Sequence, residues 1–345
     1  MAPGGRKRFM RYRTLGNSGL RVSELILGAM TFGEQGGVGA PIEECRKIVD
    51  RYLEAGGNAI DTAINYRDGQ SEEILGELLA GRRESIVLST KYTTTRDAND
   101  ANAGGNARKN LRLSLETSLR RLRTDYLDLY WVHVWDAGTP IEETMRALDD
   151  AVRSGKVLYV GISDAPAWVV ARGQTLAEWH GWNPLTALQV PYNVLDRDIE
   201  RELLPMAESL GLGVTAWSPL AGGILSGKYG QSASGPTRHD PAKIDERQLK
   251  AASEVQAVAD EIGATPSQVA IAWTAARSKA IVPIIGARSL PQLTDNLGAI
   301  DVTLTAEQVD RLTAATDFSR GFPHDFIDGI APWVFGKALI TERAE

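Results

Sequence analysis

Short apolar runs alternate with longer amphipathic segments along most of this chain. Runs such as NAIDT (58–62), SIVLSTK (85–91) and YLDLYWVH (126–133) have the length and composition of buried strands. Between them, segments such as NARKNLRLSLETSLRRLR (106–123) carry leucine at three- and four-residue spacing, which is typical of an amphipathic helix. The alternation of strand with helix predicts a parallel sheet covered by helices.

The number of strand–helix units predicts how this sheet is closed. The other apolar runs that read as strands are LILG (25–28), VLYVGIS (157–163), TALQVP (186–191), GVTAWSP (213–219) and AIVPIIGA (280–287). With LPQLTDNLGAI (290–300) as the last helix, the chain contains eight βα units. Eight units predict an α/β fold, a single (β/α)8 TIM barrel, and we assign residues 1–345 to one domain.

Both ends of the chain add to the predicted barrel. The segment RYRTLGNSGLRVSELILG (11–28) has two extended runs around a Gly/Asn/Ser turn, which predicts an N-terminal hairpin before the first barrel strand. Near the other end, LTAEQVDRLTAATD (304–317) predicts an extra outer helix. We expect the basic residues 1–10 to be disordered. The aromatic-rich tail 318–345 either folds over the barrel mouth or packs elsewhere, and the sequence leaves both possibilities open.

Two loops and two helix starts carry local signals. The polar loops 93–107 and 230–245 follow the third and seventh strands, and loops of this length are usually functional lids or disordered. Ser/Thr followed three residues later by Glu/Gln predicts capping boxes from Thr139 to Glu142 and from Ser289 to Gln292.

Composition and charge limit the class of protein. The 43% hydrophobic content is that of a globular chain, and a net charge of −6 argues against nucleic acid as the main partner. One cysteine, Cys45, excludes an intramolecular disulfide and fits a reducing compartment. No stretch approaches the ~18 apolar residues of a membrane span, and the N-terminus lacks the apolar core of a signal peptide. We therefore expect a cytoplasmic protein that does not bind membranes.

Four polar residues follow the predicted strand ends in a suggestive combination. Asp61, Lys91 and His133 each lie at the C-terminal end of a successive strand, and Tyr66 lies in the loop after the first. These strand ends meet on one face of a barrel, where such folds build their active sites. A nearby ammonium lowers the pKa of a phenol, a carboxylate can hold that ammonium, and an imidazole can donate to a developing oxyanion. The combination predicts proton delivery to a carbonyl group.

Competing functional motifs are incomplete in this chain. GGILSGKY (222–229) has the spacing of a phosphate-binding P-loop, but Tyr229 replaces the magnesium-binding Ser/Thr. No G-x-G-x-x-G follows the first strand, which argues against a Rossmann dehydrogenase. The motif GISDA (161–165) lacks the second glycine of a nucleophile elbow. The four histidines have no paired ligand spacing, so we predict no metal site.

Taken in order, the motifs resemble those of the aldo-keto reductases. They are DTAINY (61–66), STKY (89–92), WVH (131–133), GISD (161–164), QVPYN (189–193), AWSPLAGGILSGKY (216–229) and PIIGARSLPQLTDN (283–296). The resemblance runs from about residue 15 to residue 299, and GISDAPAWVV (161–170) is similar to the branch of bacterial and fungal aryl-alcohol dehydrogenases. It implies a (β/α)8 barrel that uses NADPH/NADP+ to reduce small aldehydes or ketones.

The resemblance also implies a role for individual residues. Tyr66 would be the general acid, Lys91 its activator, Asp61 the partner of Lys91, and His133 the group that orients the carbonyl. Ser163, Asp164 and Gln189 would hold the nicotinamide carboxamide, and Trp217 would stack on its ring. The remaining cofactor residues are Ala29 and Met30 beside the cofactor, Ser218, Pro219, Leu220, Gly222 and Lys228 along the pyrophosphate, and Gly286, Arg288, Gln292, Asp295 and Asn296 around the adenosine.

Asp164 departs from the family pattern, because most relatives carry asparagine there. An ionised carboxylate accepts from the carboxamide NH2 but cannot donate to its oxygen. After Ser289, free helix N–H groups are expected to assist Arg288 near the 2′-phosphate of NADPH.

The sequence leaves the substrate and one alternative function open. Phe32, Tyr92 and Trp135 suggest an aromatic-lined substrate pocket without naming the substrate. The alternative is a redox-sensing, slowly reacting cofactor-binding subunit like the potassium-channel beta subunits, although those relatives carry asparagine in place of His133. A lyase or isomerase barrel would need a phosphate or metal site that the sequence does not show. Oligomeric state is not predicted.

Overall fold

The structure, a computed structural model, describes residues 10–37, 39–229, 240 and 243–336. Of the segment 1–10 that the sequence predicts to be disordered, only Met10 belongs to the described residues. Most of the loop 230–245 also lies outside them. The chain begins with the predicted hairpin, in which β1 (Tyr12–Thr14) pairs with antiparallel β2 (Arg21–Ser23). Leu15 and Val22 of this hairpin pack against the inward-facing residues of the barrel strands, so the hairpin covers one end of the barrel.

Eight parallel strands close into a barrel, which confirms the predicted fold. Each strand pairs with its neighbour in chain order, and the last pairs with the first. The strands are β3 (Ile26–Gly28), β4 (Ala59–Asp61), β5 (Val87–Tyr92), β6 (Leu127–Val132), β7 (Val157–Ser163), β8 (Leu185–Pro191), β9 (Gly213–Trp217) and β10 (Ile281–Gly286).

Helices surround the barrel, and all but the last of them contribute buried residues to the core. They are α1 (Ile42–Glu54), α2 (Gln70–Leu78), α3 (Arg108–Leu122), α4 (Ile141–Arg153), α5 (Ala167–His180), α6 (Leu203–Ser209), α7 (Glu246–Ile262), α8 (Pro266–Ala276), α9 (Leu290–Leu297), α10 (Ala306–Ala314) and α11 (His324–Phe335). Among the described residues, none of these helices combines the length and the apolar character that a bilayer crossing requires.

Both predicted capping boxes are wrong. The hydroxyl of Thr139 donates to Asp136 Oδ2 at 2.6 Å, and α4 begins after Pro140 without a side-chain cap. Ser289 is the N-cap of α9 but makes no side-chain cap, and Gln292 Oε1 accepts from Arg288 N at 2.9 Å instead of from the main chain of Ser289. The first box is lost because α4 begins one residue later than predicted, and the second because Gln292 bonds to the residue before the N-cap.

The C-terminal segment is anchored at its start. The ring of Phe318 lies beneath the guanidinium groups of Arg197 and Arg201, 4.6 and 4.7 Å from its centroid. Arg201 Nε also donates to the carbonyl of Ser319 at 3.2 Å. No residue of α11 is buried, and Trp333 is 88% exposed. The described part of the tail therefore packs on the loop that follows β8.

Candidate active site

The four predicted catalytic residues converge at the carboxyl ends of β4, β5 and β6. Lys91 lies on β5 with no exposed surface, and its ammonium forms a short salt bridge with Asp61 Oδ2. The same nitrogen donates to the carbonyl of Thr62 at 2.7 Å and to the hydroxyl of Tyr66 at 3.2 Å. An ammonium has three hydrogens, so these three acceptors satisfy it completely.

Asp61 is held by the neighbouring strand β5 and by β8 across the barrel. Its Oδ1 accepts from Ser89 Oγ at 2.6 Å and from Gln189 Nε2 at 3.1 Å. Three strands of the barrel, β4, β5 and β8, therefore fix the carboxylate that pairs with Lys91. A buried charge pair of this kind is stable only when the remaining lone pairs are also satisfied, as they are here.

Tyr66 begins a turn with unusual backbone geometry. Arg67 and Asp68 both have left-handed φ angles, of 52° and 54°. Burial raises the pKa of the Tyr66 phenol more than the Lys91 ammonium lowers it, so the net direction is upward. The sequence analysis predicted a lowered pKa for Tyr66, because it considered only the Lys91 ammonium and not the larger effect of burial. A phenol with a raised pKa stays protonated at neutral pH and can serve as a proton donor.

His133 lies beside Tyr66, with ring centroids 5.8 Å apart in an edge-to-face arrangement. Burial, assisted by the charge of Lys91, lowers the pKa of His133 to about 3, so its imidazole is neutral at physiological pH. Its Nδ1 has no hydrogen-bond partner among the described residues. The main-chain N–H of His133 donates to Thr93 Oγ1 at 3.1 Å, which ties the end of β6 to the end of β5.

Left-handed backbone is concentrated on this face of the barrel. Of the described non-glycine residues with positive φ, all but Arg123 lie in loops after β4, β5, β7 and β9: Arg67, Asp68, Thr93, Asp164, Ser218 and Ala221. Such conformations cost of order 1–3 kcal/mol each and persist where the surroundings enforce them, as in functional sites.

Sequence reasoning missed a buried ion pair behind the Tyr66 loop. Arg121 Nη1, on α3, donates to the carbonyl of Ile64 at 2.9 Å and to Glu72 Oε2 at 3.2 Å. Glu72, on α2, is fully buried, and its Oε1 accepts from Thr90 Oγ1 at 2.7 Å. Glu72 shares a helical face with Leu75 and Leu79. A carboxylate on an otherwise apolar helical face is the sequence feature that could have predicted a buried ion pair.

The predicted nicotinamide residues lie beside this cluster. Ser163 ends β7 and is buried, Gln189 on β8 is bonded to Asp61, and Trp217 ends β9 with 38% of its surface exposed. The indole N–H of Trp217 donates to Asp164 Oδ1 at 3.3 Å. An exposed aromatic face next to amide and hydroxyl groups can hold a flat polar ring.

The segment after Trp217 can bind phosphate groups. Ser218, Pro219 and Leu220 lead into the turn 221–226, where Gly222 and Gly223 have φ angles of 65° and 102°. Within the described part of the chain, neither Lys228 nor Arg288 forms a salt bridge with a carboxylate. Backbone that glycine alone adopts easily, together with two cations lacking acidic partners, fits a pyrophosphate and a further phosphate. The residues present therefore fit a phosphate-bearing nicotinamide cofactor.

Several predicted adenosine residues bind their own chain instead. Asn296 is buried and donates to the carbonyl of Gly286 at 3.0 Å, and Gln292 Oε1 accepts from Arg288 N at 2.9 Å. Asp295 Oδ1 accepts from Thr265 and Gln268 of the neighbouring helix, at 2.8 and 3.1 Å. Glu44 takes one of the helix N–H groups expected to assist Arg288. Ala29 is buried after β3, and Met30 lies at the rim, 37% exposed.

Two of the three predicted substrate residues have no accessible surface. Phe32 packs in the core between strands and helices, and Tyr92 stacks on Tyr130 with ring centroids 5.4 Å apart. Neither side chain can contact a substrate in this conformation, because neither has exposed surface. Trp135 is partly buried, and Val134 beside it is 43% exposed. Among the described residues, no group of His, Cys, Asp and Glu could hold a metal ion.

A closed parallel barrel with an acid–base cluster at its carboxyl end is the architecture of a (β/α)8 enzyme. The aldo/keto reductase family model matches residues 24–317, and the chain belongs to that family. It is an oxidoreductase that uses a nicotinamide cofactor and acts on small carbonyl compounds.

The chain is similar to fungal oxidoreductases along most of its length. It is 37% identical over 327 residues to an aryl-alcohol dehydrogenase of Pestalotiopsis microspora, covering 92% of this chain and 85% of that protein. It is 38% identical over 336 residues to norsolorinic acid reductase B of Aspergillus parasiticus, covering 92% and 87%. A putative aryl-alcohol dehydrogenase of Saccharomyces cerevisiae is 35% identical over 342 residues, covering 92% and 89%.

Proposed function

We propose that the protein reduces an aldehyde or ketone to an alcohol with NADPH, with Tyr66 as the general acid. The observation that carries this proposal is the ammonium of Lys91, shared between Asp61 and the Tyr66 hydroxyl. The nicotinamide, when bound, supplies a hydride to the carbonyl carbon. Tyr66 donates its proton to the carbonyl oxygen, and neutral His133 donates a hydrogen bond to the same oxygen as negative charge develops there.

Each neighbouring residue has a defined part in this step. Lys91 stabilises the tyrosinate that remains after proton donation, because an ammonium 3.2 Å from the hydroxyl favours its anionic form. Asp61 keeps Lys91 charged and oriented. We propose that Ser163, Asp164 and Gln189 hold the carboxamide and that Trp217 supports the ring. Lys228 and Arg288 would contact the phosphates, which favours NADPH over NADH because NADH lacks the 2′-phosphate.

An aromatic carbonyl compound is the substrate class that this mouth favours. Met30, Val134 and Trp217 lie at or just after the carboxyl ends of β3, β6 and β9 and expose apolar surface there, and Trp135 is partly buried. Some of the relatives are named for aryl alcohols, which is consistent with such a surface.

A panel of aromatic and aliphatic aldehydes and ketones, assayed with NADPH and with NADH, tests the proposal. We expect at least one aromatic aldehyde to be reduced at a rate of about 1 s⁻¹ or more, the lower end of typical enzyme turnover. NADPH should give a higher kcat/KM than NADH. If NADPH binds and no compound of the panel is reduced, the protein is a slowly reacting cofactor-binding subunit. Equal efficiency with both cofactors would contradict the proposed NADPH preference.

A further inference from the structure

Asp164 occupies a fixed position at the mouth of the barrel. Its backbone is left-handed, with φ 45°, and its N–H donates to the carbonyl of Gln189 at 3.3 Å. Its own carbonyl accepts from Trp135 N at 3.3 Å. On the side chain, Oδ1 accepts from the indole N–H of Trp217 at 3.3 Å. The carboxylate is therefore held at the edge of the exposed Trp217 ring.

The charge of Asp164 is not balanced by a neighbouring cation. Within the described part of the chain, Asp164 forms no salt bridge, although its side chain is exposed beside Trp217. The nearby Lys91 ammonium is already paired with Asp61. His133 is neutral because of its lowered pKa, and Tyr66 stays protonated because of its raised pKa. Asp164 thus places a negative charge, without a salt-bridge partner among the described residues, next to the exposed ring of Trp217.

We propose that Asp164 makes this site bind the oxidised cofactor, NADP+, more tightly relative to NADPH than a site with a neutral residue there would. This inference rests on the proposed function, in which the nicotinamide lies on Trp217. The oxidised ring carries a positive charge and the reduced ring carries none, so a nearby carboxylate attracts only the former. The phosphates and adenosine are identical in the two forms, and their contributions cancel in the ratio of the two dissociation constants.

Two consequences follow for the reaction. Hydride transfer converts uncharged dihydronicotinamide into a cationic ring, while the carbonyl carbon gains the hydride and its oxygen gains the proton of Tyr66. A carboxylate that stabilises the cationic ring shifts this bound equilibrium towards NADP+ and alcohol, so the bound NADPH is a stronger reductant. The same attraction slows the release of NADP+ after the reaction.

Asp164→Asn removes the negative charge and keeps the size and shape of the side chain. Asparagine tolerates left-handed backbone, has the same shape and keeps an oxygen that can accept from Trp217. Calorimetric titration with NADPH and with NADP+ at low salt and about pH 8 gives both dissociation constants. Partial desolvation raises the pKa of Asp164, so the titration is run well above the ordinary pKa range of an aspartate. In the variant, the ratio of the NADP+ to the NADPH dissociation constant should rise by at least about fivefold.

Asp68→Asn is the matched control. Asp68 is an exposed aspartate on the same barrel face, also left-handed with φ 54°, and the structure gives it no contact with Trp217. Its substitution should leave the ratio unchanged. Raising the salt concentration should also raise the ratio in the wild-type protein and reduce the effect of Asp164→Asn, because ions screen an exposed charge.

The outcomes separate this inference from the proposed function. An unchanged ratio in Asp164→Asn, with both cofactors still bound, would overturn the role of the charge and leave the proposed function standing. Equal tightening of both cofactors would also overturn it, since it would reflect only a new hydrogen bond to the carboxamide. If the variant does not fold, a wild-type ratio that is independent of salt overturns the inference. Failure of the wild-type protein to bind either cofactor would instead contradict the proposed function.

Discussion

Lys91 is the residue on which the acid–base cluster depends. Its ammonium donates its three hydrogens to Asp61, to the Thr62 carbonyl and to Tyr66. Loss of its charge therefore changes the pKa of the Tyr66 phenol directly. Burial keeps the pKa of Tyr66 high, while Lys91 limits the rise. In the proposed mechanism, reduction requires the protonated phenol. The reduction rate should therefore be highest below the pKa of Tyr66 and fall as the pH rises through it.

Lys91→Met should lower the rate of carbonyl reduction by about 10²–10⁴-fold, because the tyrosinate loses its stabilising charge. The pKa of Tyr66 should rise, so the alkaline decline of the pH–rate profile should move to higher pH. Steady-state rates measured across the pH range test both effects. Lys156→Met, which removes a lysine paired with Glu116 on the surface, is the control and should change neither. A profile with an unmoved decline would exclude the coupling.

At the scale of elements, two outer helices support the loop that carries Tyr66. Arg121 on α3 holds the carbonyl of Ile64 and pairs with the buried Glu72 of α2. Gly69, with φ 92°, lies against the guanidinium so closely that a Cβ atom would collide with it. The position of the Tyr66 hydroxyl therefore depends on helix packing outside the barrel.

Arg121→Met should destabilise the protein by about 2–3 kcal/mol, less than for a fully buried pair because the guanidinium is 26% exposed. Urea denaturation measures this loss. The kcat should also fall while the NADPH dissociation constant stays the same, because Tyr66 is displaced and the cofactor residues are not. In Arg121→Met/Glu72→Gln the unpaired buried charge is gone, and part of the stability should return. A double variant no more stable than Arg121→Met would contradict the proposed role of the pair.

The strand ends and the convergence of Asp61, Tyr66, Lys91 and His133 were predictable from local sequence, whereas their hydrogen-bond partners were not. Asp61, Lys91 and His133 each end an apolar run, and parallel strands bring such ends to one face in any closed barrel. The predicted capping boxes failed because α4 begins after Pro140 and because Gln292 bonds to Arg288 N. Burial of Tyr92 likewise depends on Tyr130, a neighbour on the adjacent strand.

At the scale of the whole molecule, the contacts that hold the N-terminal hairpin and the proposed catalytic residues lie at opposite ends of the barrel. The hydroxyl of Tyr52 on α1 links the N-terminal hairpin to the barrel, 2.8 Å from Ser23 Oγ and from the carbonyls of Leu25 and Ala59. Burial raises the pKa of Tyr52 to about 12. Tyr66, Lys91 and His133 lie at the other end, where the strands terminate.

Tyr52→Phe should lower the free energy of unfolding by about 1–3 kcal/mol, because buried polar groups lose their partner. The kcat and KM of the folded enzyme should stay unchanged. Denaturant unfolding and steady-state kinetics on the same preparation measure the two quantities. Tyr12→Phe is the control: its hydroxyl donates to Gly56 O at 2.6 Å from a side chain that is 54% exposed, so its loss should be smaller. A kinetic defect in Tyr52→Phe would contradict this separation.

Tyr66→Phe tests the central claim most directly, because it removes only the hydroxyl proposed to deliver the proton. Single-turnover reduction of an accepted aldehyde, with NADPH binding measured in parallel, separates chemistry from cofactor affinity. Tyr126→Phe, at the opposite end of the barrel, controls for the loss of a phenol. We expect Tyr66→Phe to slow reduction by about 10²–10⁴-fold with the NADPH dissociation constant unchanged. Reduction within about threefold of the wild-type rate would show that Tyr66 is not the acid.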